Sequence, residues 1–177
     1  MNAGGRILAA SVATAVVVAW AFAAEVFAPP AVSVPEGDEL CISSRNSDDY
    51  LVSIDFTNEG RSLVTLGAAR IGSLDGITLL DTYVVSPEFD SGFGAVSFTP
   101  GVVGDWGLAD VAGTEVEPGD RAQVVFRLKS DEGGGLATEF TVDYADKYGL
   151  HHSANSPFVA GYYSGEPQTD VEIACGV

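Results

Sequence analysis

Val52-Ser53-Ile54-Asp55-Phe56-Thr57-Asn58-Glu59-Gly60 decides the fold. Val52, Ile54 and Phe56 fall on one side of an extended chain and Ser53, Asp55 and Thr57 on the other, the period of two that marks a strand with one buried face. Asn58-Glu59-Gly60 then supplies the residues that end a strand in a turn. Working outward, the apolar runs Leu63 to Ile71 and Ile77 to Val85 are separated by Asp75-Gly76, a pair suited to positive φ, which is expected to form a hairpin.

Two further strands are plainer still. Ala122, Val124, Phe126 and Leu128 alternate with Gln123, Val125, Arg127 and Lys129 after Glu117-Pro118-Gly119-Asp120, and Thr138, Phe140, Val142 and Tyr144 alternate after Gly133-Gly134-Gly135. Asp146-Lys147-Tyr148-Gly149 reads as a hairpin turn returning through Leu150 to Ala154. No helical period persists beyond the first 28 residues, and glycine and proline recur throughout. The expectation is an all-β immunoglobulin-like β-sandwich of seven to nine strands spanning residues 39–177, joined by a linker at 29–38 to one N-terminal transmembrane helix in 1–28.

That N-terminal segment has Arg6 as its only charge before Glu25, and Ile7 to Ala24 has none. From Ile7 to Ala28 a helix would be about 33 Å long, close to the hydrocarbon thickness of a bilayer. Ala21-Phe22-Ala23 also fits a signal-peptidase site, so secretion after cleavage is the alternative to a retained anchor. Either way Arg6 favours a cytoplasmic N-terminus, and Glu25, Glu36, Asp38 and Glu39 go outside with the rest of the chain. Ser11, Ala15, Ala19 and Ala23 form a small-residue stripe at a spacing of four, a candidate helix-packing face.

Composition limits the partners. With 25 acidic against 8 basic residues the formal net charge is -17, which repels nucleic acid and anionic lipid headgroups. The two cysteines, Cys41 and Cys175, bracket nearly the whole extracytoplasmic part, and in an oxidising compartment they are expected to form a disulfide.

Val52 to Gly60, Leu74-Asp75-Gly76, Val116 to Asp120, Val124-Val125-Phe126 and Val142-Asp143-Tyr144 together resemble the bacterial and archaeal immunoglobulin-like surface domains of CARDB type. The resemblance covers roughly residues 49 to 149. It rests on turn chemistry, so it implies a fold and carries no site residues. Phe89 to Gly113 departs from it: Gly92, Gly94, Gly101, Gly104 and Gly107 surround Phe93, Phe98 and Trp106. Two readings stay open, an exposed aromatic binding loop, or a strand at Ala95 to Phe98 with Trp106 packed on the sandwich edge. Near the C-terminus Tyr162 and Tyr163 are adjacent, so a strand there would bury one and expose the other as an interface anchor.

Chemistry-bearing patterns are few. His151 and His152 are the only histidines, and neighbours on a strand face opposite sides, which works against a shared metal ion. There is no Gly-x-Ser-x-Gly elbow and no calcium-loop pattern, so the chain is expected not to be an enzyme and to hold no cofactor. The expected role is a non-catalytic, membrane-anchored, extracytoplasmic protein-binding or structural component of the cell envelope, with a protein partner and a homo-oligomer as candidate assemblies. Its alternatives are a subunit of a surface filament packed through the N-terminal helix and an extracytoplasmic metal chaperone using the histidines.

Overall fold

A computed structural model describes residues 31–34, 39–43, 48–85, 94–99, 106–131 and 134–163. The described residues form strands and turns without a helix, so none crosses a membrane as a helix. The expected anchor in 1–28, with Ser11, Ala15, Ala19 and Ala23, lies outside them.

Among the described residues, seven strands have five residues or more: β2 (Glu39–Ser43), β3 (Asp49–Asn58), β4 (Val64–Asp75), β5 (Ile77–Val84), β9 (Arg121–Ser130), β10 (Gly135–Ala145) and β11 (His151–Tyr163). Four shorter ones are β1 (Val32–Ser33), β6 (Ala95–Ser97), β7 (Ala109–Asp110) and β8 (Glu115–Val116). One sheet, A, has the order β1-β3-β9-β5-β7, with β6 also on β3; the other, B, has the order β2-β11-β10-β4-β8. Apart from the parallel β2–β11 pair, every ladder is antiparallel. Strand β1 falls inside the stretch expected as a linker, since Val32 has a partner in Asn58.

The alternating apolar residues meet between the sheets as expected. Phe56 packs edge-on to Tyr144 at one end (5.4 Å), Phe126 on Phe140 (4.9 Å) and Phe140 on Phe158 (5.3 Å) in the middle, and Tyr50 stacks on Tyr162 (4.8 Å) at the other end. Each such buried ring removes enough apolar surface from water to contribute about 2–3 kcal/mol. In β10, however, the core residue before Phe140 is Ala137 and not Thr138. Glu139 lies between them at φ 63°, in the left-handed region, and the ladder to β11 shifts register there, so a bulge moves the alternation by one residue.

Where the sequence suggests a hairpin at Asp75-Gly76, the chain instead turns a corner from sheet B to sheet A. Gly76 has the expected positive φ of 61°, yet β4 pairs with β10 while β5 pairs with β9. The turn chemistry is right and the partners differ: β4 lies on β10 in sheet B and β5 on β9 in sheet A. The corner is held by close backbone approach: a Cβ on Gly76 would lie 2.5 Å from the Gly134 carbonyl oxygen, and the Gly76 carbonyl accepts from the Asp131 amide at 2.8 Å. By contrast, β10 and β11 do form the hairpin expected at Asp146 to Gly149.

A second set of corners converges on Asn58, which is fully buried. Its Nδ2 donates to the carbonyls of Ser62 (2.9 Å) and Val116 (2.9 Å), and its Oδ1 accepts from the Gly60 amide (3.0 Å). Its own backbone donates to Asp120 (3.0 Å) and accepts from Gly119 (2.7 Å). Two carbonyls on one side and an amide on the other fix which way the side-chain amide points. One residue thus joins the end of β3, the β3–β4 corner, β8 and the turn that opens β9.

Asn58→Asp keeps the shape and removes both donors. It is expected to cost about 3 kcal/mol or more at pH 7, read from urea unfolding, since it buries a carboxylate against two carbonyls, one buried and one partly so. The buried acid's pKa would be raised in the folded state, so part of the loss should return as pH falls toward about 4, where the carboxyl can donate again. A loss below about 1 kcal/mol, or one independent of pH, would contradict this role for Asn58.

Candidate functional site

The outer face of sheet A differs most from what alternation implies. Leu51 is 1% exposed and Val125 0%, although both point away from the main core. With Val85 they form a second apolar cluster, against which Tyr83, Val96, Phe98, Trp106 and Leu108 pack. The glycine-rich segment makes this cover. Strand β6 pairs with the start of β3 (Leu51 opposite Val96), the Ser53 amide donates to Gly94, and the Phe98 amide donates to Asp49 at 2.9 Å. Side chains following β6 then fold over the sheet. Centrally, β3 and β9 are therefore buried on both faces.

At the rim of this cover sits a locked arginine. Arg127 Nε and Nη2 donate to the two oxygens of Asp49 at 3.1 and 2.6 Å, and the guanidinium lies 3.7 Å from the centre of the Phe98 ring. The Asp49 hydrogen bonds hold its pKa above the ordinary arginine value, against the opposing effect of burial. Beside it Tyr83 donates to Asp81 at 2.8 Å, and burial followed by that carboxylate pushes the phenol's pKa up. A guanidinium forked by a carboxylate and stacked on a ring is preorganised and stays charged. It suits recognition of a partner surface rather than proton transfer.

The sequence-derived candidates distribute as follows. Trp106 packs into this cover, and a strand at Ala95–Ser97 is present as the edge-packing reading requires. Phe93 and Cys175 lie outside the described residues. Tyr162 is 2% exposed and stacked on Tyr50, so the buried member of the tyrosine pair is Tyr162 and the half-exposed one is Tyr163. Cys41 sits on β2 opposite Gly161. The sequence does not mark Tyr50, Arg127, Asp49 or Tyr83 as site residues, whereas Phe98 falls in the aromatic segment that it offers as a candidate binding loop. Arg127 and Asp49 are 78 positions apart, and only the β3–β9 register brings them together.

His151 is exposed, whereas His152 stacks on Tyr144 (5.4 Å) with Nε2 3.4 Å from Asp146 Oδ2. Among the described residues no group of three or more histidines, cysteines or carboxylates converges as a metal site. The Asp146 carboxylate closes the β10–β11 turn instead, accepting from the amides of Tyr148 (2.8 Å) and Leu150 (3.0 Å). Burial alone would raise its pKa; the Leu150 and Tyr148 amides and then His152 outweigh that and hold it below the ordinary aspartate value.

No family model and no curated protein matches the chain, the CARDB-type domains included. Among solved structures, it is similar to the VesB protease of Vibrio cholerae (12% identity, TM-score 0.40, covering 73% of this chain and 31% of that one). It is also similar to the secreted serine protease VesC of Vibrio cholerae (12%, 0.35, 81% and 25%). The chain thus spans about a third and a quarter of those two proteases. Further similarities are to the seventh PapD-like domain of human CEP192 (15%, 0.35, 80% and 91%) and the N-terminal domain of PorA (13%, 0.33, 75% and 97%). The expectation that the chain is not an enzyme is corrected by the two proteases, and a non-catalytic character is not assigned to it. At these TM-scores the similarities give no residue a role. Of the expected fold, the coarser part stands on the strand order alone: among the described residues the chain is all-β, in two packed sheets.

Two outcomes follow from the site geometry. A double-mutant cycle with Arg127→Lys and Phe98→Ala should return a coupling of about 0.5–1 kcal/mol in unfolding free energy; additive effects would mean the stack contributes nothing. For Asp146, a lowered folded pKa means its stabilisation is present above the ordinary aspartate pKa and is lost as pH falls through the folded one. The gap in urea midpoint between the native protein and Asp146→Asn should therefore be largest near neutral pH and shrink in acid.

Proposed function

We propose that the chain is a membrane-anchored, extracytoplasmic protein-binding or structural component of the cell envelope, with its N-terminus inside and its β-sandwich outside. The observation that carries the protein-binding part is the Arg127–Asp49–Phe98 assembly with Tyr83. It presents a half-buried arginine and aromatic rings on a rigid sheet, and such residues are enriched where protein interfaces concentrate their energy. Anchoring is supported by the uncharged run from Ile7 to Ala24 and by Arg6 before it, and the net charge of -17 supports a partner that is neither nucleic acid nor anionic lipid. Cys41 is bridged to Cys175, the only other cysteine of the chain, as suits an oxidising compartment.

Membrane fractions from cells expressing the full chain provide the test. The expected result is an unprocessed N-terminus by intact mass, a sandwich digested by protease added outside, and no thiol alkylated before reduction. Recovery in the cytosol, or full protection from external protease, would overturn the reading. Sizing in mild detergent should give a discrete species of one or two copies plus partner, whereas a polydisperse multimer would favour a filament subunit.

A further inference from the structure

Sheet B has an edge that its neighbours leave bare. Strand β4 runs from Val64 to Asp75, yet β8 pairs only with Val64 and Thr65, and two more hydrogen bonds, Leu66 amide to Thr114 and Gly113 amide to Leu66, end the cover. From Ala68 to Asp75 the strand has β10 on one side and, among the described residues, no strand on the other. Alternate amides and carbonyls of such an edge point away from its single partner, a row of unmade hydrogen bonds that another extended chain can complete. Stable proteins commonly blunt their edges with bulges, lysine or proline. Strand β5 of sheet A does so, since its register shifts between Leu79 and Asp81. By contrast, β4 keeps its register on β10 from Ala69 to Asp75, and its one basic residue, Arg70, is already bonded to Asp143 at 2.6 Å.

Along this edge the core is incompletely closed. Ala69 and Ile71 pack on it but are only half-buried, and Leu74, opposite the fully buried Ala137, is 40% exposed. Above the middle of the edge stands a carboxylate. Glu139 holds φ 63°, a region disfavoured for any residue with a side chain, and its side chain lies across β4 at Gly72, where a Cβ would collide with it. Among the described residues no cation pairs with Glu139, and Asp75 at the end of the strand and Asp81 beyond the corner are exposed as well. These charges select the occupant. A second copy would bring another formal charge of -17 and another Glu139 to the same place, whereas a segment bearing lysine or arginine is drawn to it.

We propose that the β4 edge from Ala68 to Asp75 takes an extended, basic segment of a partner protein as an added strand of sheet B, its apolar residues closing over Ala69, Ile71 and Leu74 and a lysine or arginine meeting Glu139 across Gly72. Main-chain hydrogen bonds supply the binding and Glu139 the selection by charge. The site stands apart from the Arg127 surface, which belongs to the other sheet, and does not depend on the membrane anchor.

Hydrogen exchange followed by mass spectrometry on the full chain in nonionic detergent at low salt tests it. The probes are short peptides of alternating threonine and valine, one with central lysines and the other with glutamates in their place. Amides of 68–75 should exchange about tenfold more slowly with the lysine peptide, and unchanged with the glutamate peptide at the same concentration; high salt should narrow that difference. Glu139→Lys should reverse the preference, and Leu74→Lys, which sets a charge among the apolar contacts, should weaken the lysine peptide about tenfold, while β3 and β9 keep their protection in both variants. No protection by the lysine peptide, equal protection by the two peptides, or protection without peptide that rises with protein concentration, the mark of a second copy on the edge, would each overturn the proposal.

Discussion

A buried side-chain amide, that of Asn58, is the constraint on which the joining of the two sheets depends. At the end of β3 the chain leaves sheet A for sheet B, and at Gly119-Asp120 it comes back to begin β9, so backbone groups from both crossings lose their ladder partners around the buried Asn58 side chain. Asn58 supplies what they lack, two donors and one acceptor from its side chain and one of each from its backbone. Alanine, serine or aspartate would each leave at least one buried group unpaired.

With those corners set, β3 and β9 run through the middle of sheet A and carry two loads. Their inner residues, Tyr50 to Phe56 and Val124 to Leu128, meet the aromatics of sheet B. Their outer residues, Leu51 and Val125, are roofed by Phe98, Trp106 and Leu108. The surface that recognition would use is therefore built on the most deeply packed strands, so Arg127 and Phe98 are displayed from a rigid base with little ordering left to do on binding. Tyr50 carries an internal cost in this arrangement: its hydroxyl is buried with no hydrogen-bond partner among the described residues, and burial together with Tyr162 drives its pKa upward.

The strands themselves were legible in the sequence wherever one face is apolar and the other polar. Ala122 to Leu128 and Phe140 to Tyr144 sit where their alternation puts them. Alternation fails at Glu139, because a bulge depends on neighbouring strands and a glutamate gives no sign of positive φ. It fails again at Leu51 and Val125, whose outward faces are covered by a segment more than 40 residues away in one case and about 20 in the other. Asp75-Gly76 announced a turn correctly, yet turn residues specify local φ and not which strands will pair afterwards. The Arg127–Asp49 fork could not be read at all without the register of β3 on β9, since a lone charge in a strand looks like any solvated position.

The most direct test of the Asn58 account is nuclear magnetic resonance of its side-chain amide in the folded protein. Both Nδ2 protons should give separate signals that exchange with solvent far more slowly than those of an exposed asparagine, because the side chain is buried and each proton is held by a carbonyl, that of Val116 buried and that of Ser62 partly so. Exchange at the rate of exposed asparagines would mean that the clasp is open, and the joining of the two sheets would need another cause.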